Sequence, residues 1–143
     1  MTTVYQDDRI GEPVFRPDTS QVARAAAFGV AFWFTAALII RYVIELGFYA
    51  GVWRIVVFTL TIPLTWVAIT LLQRLTAATP SRLFVSVSIA TGTAAFCDVV
   101  ALSWFPGLYG SGPATVLSAA VLLLWGITCA LALGCVPIVA RSA

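Results

Sequence analysis

Four charged residues stand together toward one membrane surface, within or at the edges of long apolar segments: Arg41, Glu45, Arg54 and Asp98. An ionised carboxylate near the centre of a bilayer costs on the order of 2.5 to 3.5 kcal/mol on insertion scales, so Asp98 requires a partner, water or a proton. Its neighbours three and four positions away are Ala94, Ala95, Ala101 and Leu102. Asp98 therefore lies on a small-residue face that another helix can approach closely, and it is expected to face a bundle interior. Counted from the same membrane surface, Asp98 lies about 16 residues into its helix and Arg41 about 18 into its own, so the two share a depth. Glu45 follows Arg41 by one helical turn on the same face. An intramembrane charge network of Arg41, Glu45, Arg54 and Asp98 is thus the expectation. Its first reading is structural: an ion pair that fixes helix register, or an Arg41–Glu45 pair at the interface. The second is a proton- or ion-coupled site, because intramembrane ionisable groups often mark such paths.

Other chemistry finds little support. The chain has no His, which removes the usual haem ligand and the commonest neutral-pH acid–base group. There is no metal-ligand cluster, no His-based triad and no G-x-x-x-x-G-K phosphate loop. No cofactor, no metal and no enzymatic activity are expected. Cys97, Cys129 and Cys135 lie inside apolar segments without a C-x-x-C pair and read as buried small hydrophobes.

The elements that position these residues follow from composition. Of the 143 residues, 61% are hydrophobic and 10% charged, against roughly 25% charged in ordinary soluble domains. The apolar residues form blocks about 20 residues long, the length with which an α-helix crosses about 30 Å of hydrocarbon. The expected fold is an all-α integral membrane four-helix bundle. Its spans are placed at about 22–44, 53–72, 81–104 and 114–139, within one transmembrane domain at about 22–141. Residues 1–21 read as a polar tail containing Pro13 and Pro17, and Asp18, Thr19 and Ser20 are suitable N-caps for the first helix. The first apolar segment runs too far for the core of a cleaved secretory signal, so no cleavage is expected. Pro63 falls near mid-span of the second helix, where it frees the carbonyl of Thr59 and favours a kink. Thr59, Thr61, Thr65, Thr91, Thr93 and Thr128 are expected to hydrogen-bond back to their own helices.

With four spans, Arg9, Arg16, Arg24, Arg74, Arg82 and Arg141 share one side, and Arg41 and Arg54 the other. The positive-inside rule then puts both termini in the cytoplasm. Tyr42, Tyr49, Trp53, Trp104, Phe105 and Tyr109 form an aromatic belt on the outer side, read mainly as interfacial anchors. Gly126, Ala130 and Gly134 repeat at four-residue spacing, and Ser88 and Gly92 do the same on the third helix. These stripes allow close helix packing, within the monomer or at a dimer seam. The formal net charge of +2 and the scattered basic residues exclude a nucleic-acid partner.

Arg41 with Gly47, the run Ile62-Pro63-Leu64-Thr65, and Phe96-Cys97-Asp98 leading to Trp104-Phe105-Pro106 carry a family resemblance. The chain resembles small bacterial inner-membrane proteins grouped as a domain of unknown function, from its first helix through its third. The resemblance implies a four-helix membrane fold in a bacterial inner membrane and supplies no activity. The functional expectation is a non-catalytic membrane protein whose partners are the lipid bilayer and either a larger membrane complex, as an accessory or assembly subunit, or further copies of itself. The alternative is a small oligomeric proton- or ion-coupled transporter or channel using Asp98 and Arg41.

Overall fold

The computed structural model describes residues 18–142. It contains four long helices, α1 (Thr19–Glu45), α2 (Gly51–Thr76), α3 (Pro80–Trp104) and α4 (Pro113–Ser142), with a short 3-10 turn at Pro106–Leu108. Each helix has the length and apolarity to cross a bilayer. Large apolar side chains such as Phe34, Val67, Phe96 and Leu124 are exposed along them, which is the surface of a protein solvated by lipid. The chain is a multi-pass integral membrane protein and an all-α four-helix bundle.

Local sequence sets the helix ends. Asp18 caps α1, its carboxylate accepting from the Ser20 amide at 3.4 Å and from the Ser20 hydroxyl at 2.6 Å. Thr19, Ser20 and Gln21, expected in the polar tail, therefore form the first turn of α1, because the cap sits at the first of the three suitable residues. Met1 to Pro17 of that tail lie outside the described residues. Pro80 and Pro113 open α3 and α4, where a missing N–H removes no helical bond. Ala77, with φ +48°, ends α2 in the left-handed region. Helix α2 is continuous through Pro63, flanked by Thr61 and Thr65 bonded to the carbonyls of Val57 and Thr61. Thr93 and Thr128 bond back in the same way, onto Ile89 and Leu124.

Around the bundle the packing order is α1, α3, α4, α2. The α1–α3 seam is the most extensive, and a Cβ placed on Gly29 would run into the backbone carbonyl of Ala90. Gly134 lets α4 close on α3 in the same manner, its missing Cβ falling 3.1 Å from Val87 Cγ1. The circle does not close. Although α1 and α2 are consecutive, they touch about as little as helices on opposite sides of the bundle do.

The core accordingly divides in two. At the end carrying the 3-10 turn, Ala37, Ile40, Ile44, Ala101, Tyr109, Ala119 and Leu122 are buried together. At the other, Ala25, Ile69, Leu72, Leu83, Val87 and Ala90 form a second cluster. Between them α1, α2, α3 and α4 present Ala36, Ala68, Ala94 and Gly126, side chains too small to meet across the bundle. A cleft remains there.

Candidate functional site

Asp98, on α3, is 7% exposed and is held by Trp33 of α1 and by Tyr109, which follows the 3-10 turn. The Tyr109 hydroxyl donates to Asp98 Oδ1 at 2.5 Å and the Trp33 indole N–H donates to the same oxygen at 2.8 Å. Trp33 Nε1 also lies 3.1 Å from the Tyr109 hydroxyl, so the three groups close a triangle. These two donors satisfy one oxygen of the carboxyl group without a cation. Burial, then the hydrogen bond and charge of Asp98, raises the Tyr109 hydroxyl above the ordinary phenol range and keeps it a donor.

The burial expected of Asp98 from its small neighbours is found, whereas the network expected around it is divided into three. Arg41 pairs with Glu45 at 3.1 Å on the lipid-facing side of α1, each side chain about half exposed. The guanidinium of Arg54 stacks on the rings of Tyr49 and Phe58, 5.5 and 5.7 Å from their centroids. Neither arginine bonds to Asp98 among the described residues. Depth alone led to the grouping, but rotation about the helix axis decides it. Ile40 and Ile44 define the buried face of α1, and Arg41 lies about 80° round from its centre.

The aromatic belt needs two corrections. Tyr42, Trp53, Trp104 and Phe105 are exposed as interfacial anchors would be, but Tyr109 is fully buried and serves Asp98, and Tyr49 is half-buried against the first cluster. Trp33 was readable as a site residue from one signal. An indole N–H in mid-span needs an acceptor within the protein, and Asp98 is the acidic residue of the apolar interior. The small-residue stripes also part company. Gly134 packs on Val87, and Ala130 packs against the second cluster, but Gly92 and Gly126 have nothing within reach of an added Cβ. Ser88 bonds to the Phe84 carbonyl at 2.9 Å. The cysteines carry free thiols, Cys129 buried and Cys97 and Cys135 half-buried.

Gly126 and Ala130 instead border the cleft, an apolar space of about 320 Å³. It extends from Asp98, Val43 and Val57 at one end to Phe28, Leu72 and Val87 at the other. Its mouth is the unpacked seam between α1 and α2, and those helices meet at its ends. There Tyr49, in the connection, contacts Phe58, and the Gln21 side chain reaches the Thr76 carbonyl at 3.4 Å. The Trp125 indole donates to the Phe58 carbonyl at 3.1 Å and fixes α4 against α2 beside it. Comparison of the chain with family models, with curated proteins and with solved structures gives no match. Site and function rest on the geometry itself.

The space is of a particular size. It is about twice the ~150 Å³ of an apolar cavity that accommodates benzene. Drawn out between Asp98 and Leu72, it suits an extended chain.

Proposed function

We propose that this protein is a non-catalytic component of a bacterial inner membrane, with both termini cytoplasmic, that serves as an accessory subunit by taking an apolar guest sideways from the bilayer. The observation that carries this reading is the cleft between α1 and α2. Two consecutive helices leave their seam unpacked, and the space behind it opens to lipid at mid-span, where only membrane-soluble molecules arrive. The helices are joined by residues 46–50, 77–79 and 105–112, connections too short for a soluble catalytic domain. The accessory role follows from that economy: a bundle that binds and does not react serves a neighbour that does.

Filling the cleft tests the reading. Gly126→Leu projects into open space and should preserve the fold. After purification in gentle detergent, native mass spectrometry should find a retained lipophilic adduct on the wild type and none on Gly126→Leu, with equal helicity by circular dichroism. Wild type that emerges bare, or an adduct indifferent to the substitution, would count against it.

One observation favours a second reading, a proton- or ion-coupled transporter: the Asp98 side chain borders the cleft. The role proposed for Arg41 as its counter-charge has no support in the geometry, since Arg41 faces away with Glu45. In proteoliposomes, Asp98→Asn should leave proton flux unchanged if the first reading holds. A flux above that of empty vesicles, abolished by Asp98→Asn, would establish the second.

A further inference from the structure

Resting on the cleft reading, we propose that the guest is a single-chain lipophile with a small hydrogen-bond-donating head, a hydroxyl or an ammonium, held by Asp98. Its chain runs along the cleft toward Leu72 and Val87.

Three features select this class. Along α3, Asp98 and Val87 are separated by about 17 Å at 1.5 Å per residue, more than half of the ~30 Å hydrocarbon thickness. A space of about 320 Å³ drawn out over this length is narrow and suits one extended chain. The second feature is depth. Asp98 precedes the end of α3 at Trp104 by six residues, about 9 Å. A bulky zwitterionic or phosphate head would lose its hydration at that depth, whereas a hydroxyl has a single donor to place and a compact ammonium is compensated by the charge of the carboxylate.

The third feature is polarity. Among the polar groups on the cleft wall, the hydroxyls of Thr35, Thr61 and Thr65 are engaged by the carbonyls of Ala31, Val57 and Thr61, while the Thr91 hydroxyl, two helical turns from Asp98, has no hydrogen bond among the described residues. The Trp33 N–H is engaged by Asp98 and Tyr109. Both donors to Asp98 converge on Oδ1, so Oδ2 receives no hydrogen bond among the described residues. A carboxylate oxygen can only accept when ionised, and it selects a donor. With Arg41 and Arg54 occupied by Glu45, Tyr49 and Phe58, and with Thr91 about 10 Å away along α3, the guest supplies that donor.

Three probes of equal chain length separate head from tail: hexadecanol, hexadecylamine and hexadecyl methyl ether. Titrated into delipidated full-length protein in detergent and counted by native mass spectrometry, the alcohol and the amine should bind one to one. The ether, lacking a donor, should bind about tenfold more weakly because Oδ2 is then buried unpaired. Asp98→Asn supplies the reverse arm. The amide oxygen retains the bonds from Trp33 and Tyr109, and the amide N–H₂ replaces Oδ2, so alcohol and ether, whose oxygens both accept, should bind alike and the ammonium should become the weakest of the three. Gly126→Leu should abolish binding of all three probes. Equal binding of alcohol and ether by the wild type, blocked by Gly126→Leu, would overturn the head assignment and leave the cleft reading standing. Absence of one-to-one binding to the wild type would overturn both.

Discussion

Helix α1 has two neighbours and treats them oppositely. Against α3 it approaches until Gly29 meets the Ala90 carbonyl, and it adds the indole bond from Trp33 to Asp98. Against α2, its partner in sequence, it is tied at the ends and open between them. The contrast originates in side-chain size. Small residues at a helix crossing draw backbones together when they face each other directly. The same residues facing a common centre from all four helices, as Ala36, Ala68, Ala94 and Gly126 do, leave that centre empty. Small residues in a membrane helix thus mark either a contact or a void, and only azimuth distinguishes them.

The severest test of the contrast is a side chain at each glycine. Gly29→Val should break the α1–α3 seam, because the obstacle is backbone that cannot rotate away. Overpacking of this kind costs about 1–3 kcal/mol, and toward the upper end or beyond where backbone must move. A fall in Tm and loss of the retained detergent-stable fold would register it. Gly126→Leu, of larger volume, should shift Tm little. Similar losses at both positions would dissolve the distinction between seam and void.

Next in size are the donors to Asp98. Tyr109→Phe and Trp33→Phe each remove one of two bonds to the same oxygen, and each should destabilise by about 1–3 kcal/mol. The two should be less than additive, since they share an acceptor and contact each other. A double-mutant cycle in a detergent unfolding titration measures the coupling. Full additivity would mean that the triangle does not act as a unit.

What the sequence made legible follows the same division. Blocks of about 20 apolar residues specify four crossings because the bilayer leaves the backbone no alternative. The burial of Asp98 followed from Ala94, Ala95 and Ala101 on its face. The partners of Asp98 did not follow, since they lie 65 and 11 residues away and meet it only through the packing of α1 on α3 and the turn after α3. Matching depth between Arg41 and Asp98 supplied one coordinate where three are needed. The cleft was hidden for a related reason: a sequence records each helix's small residues but not whether they face a neighbour or a shared centre.

Smaller effects belong to the lipid-facing side of α1. The Arg41–Glu45 pair is an exposed i, i+4 contact, so Arg41→Gln should cost only about 0.3–0.5 kcal/mol and less at high salt. Glu45→Gln should match it. Binding of any guest in the cleft should be unaffected by either. A large, salt-insensitive loss with altered guest binding would place Arg41 back beside Asp98 and undo the separation of the two regions.

The gentlest perturbation acts at the end of the cleft. Asp18 caps α1, and its hydrogen bonds from the Ser20 side chain and then the Ser20 backbone hold its carboxyl below the ordinary Asp range. A carboxyl whose folded value lies below its unfolded one, about 3.9, adds stability that is present above that value. The contribution is lost as pH falls through the lowered folded value. Protonation should therefore fray the first turn of α1, which carries Gln21 and its bond to the Thr76 carbonyl, one of the ties between α1 and α2. The α1–α3 seam at Gly29 lies beyond that turn and should not respond. Amide hydrogen exchange followed as pH is lowered should show faster exchange at Ser20 and Gln21 but not at Gly29 or Val30. Asp18→Asn, which preserves the cap as a neutral acceptor, should remove the pH dependence. If Gly29 and Gln21 loosened together in the wild type, α1 would be responding as one body and its two faces would not be independent.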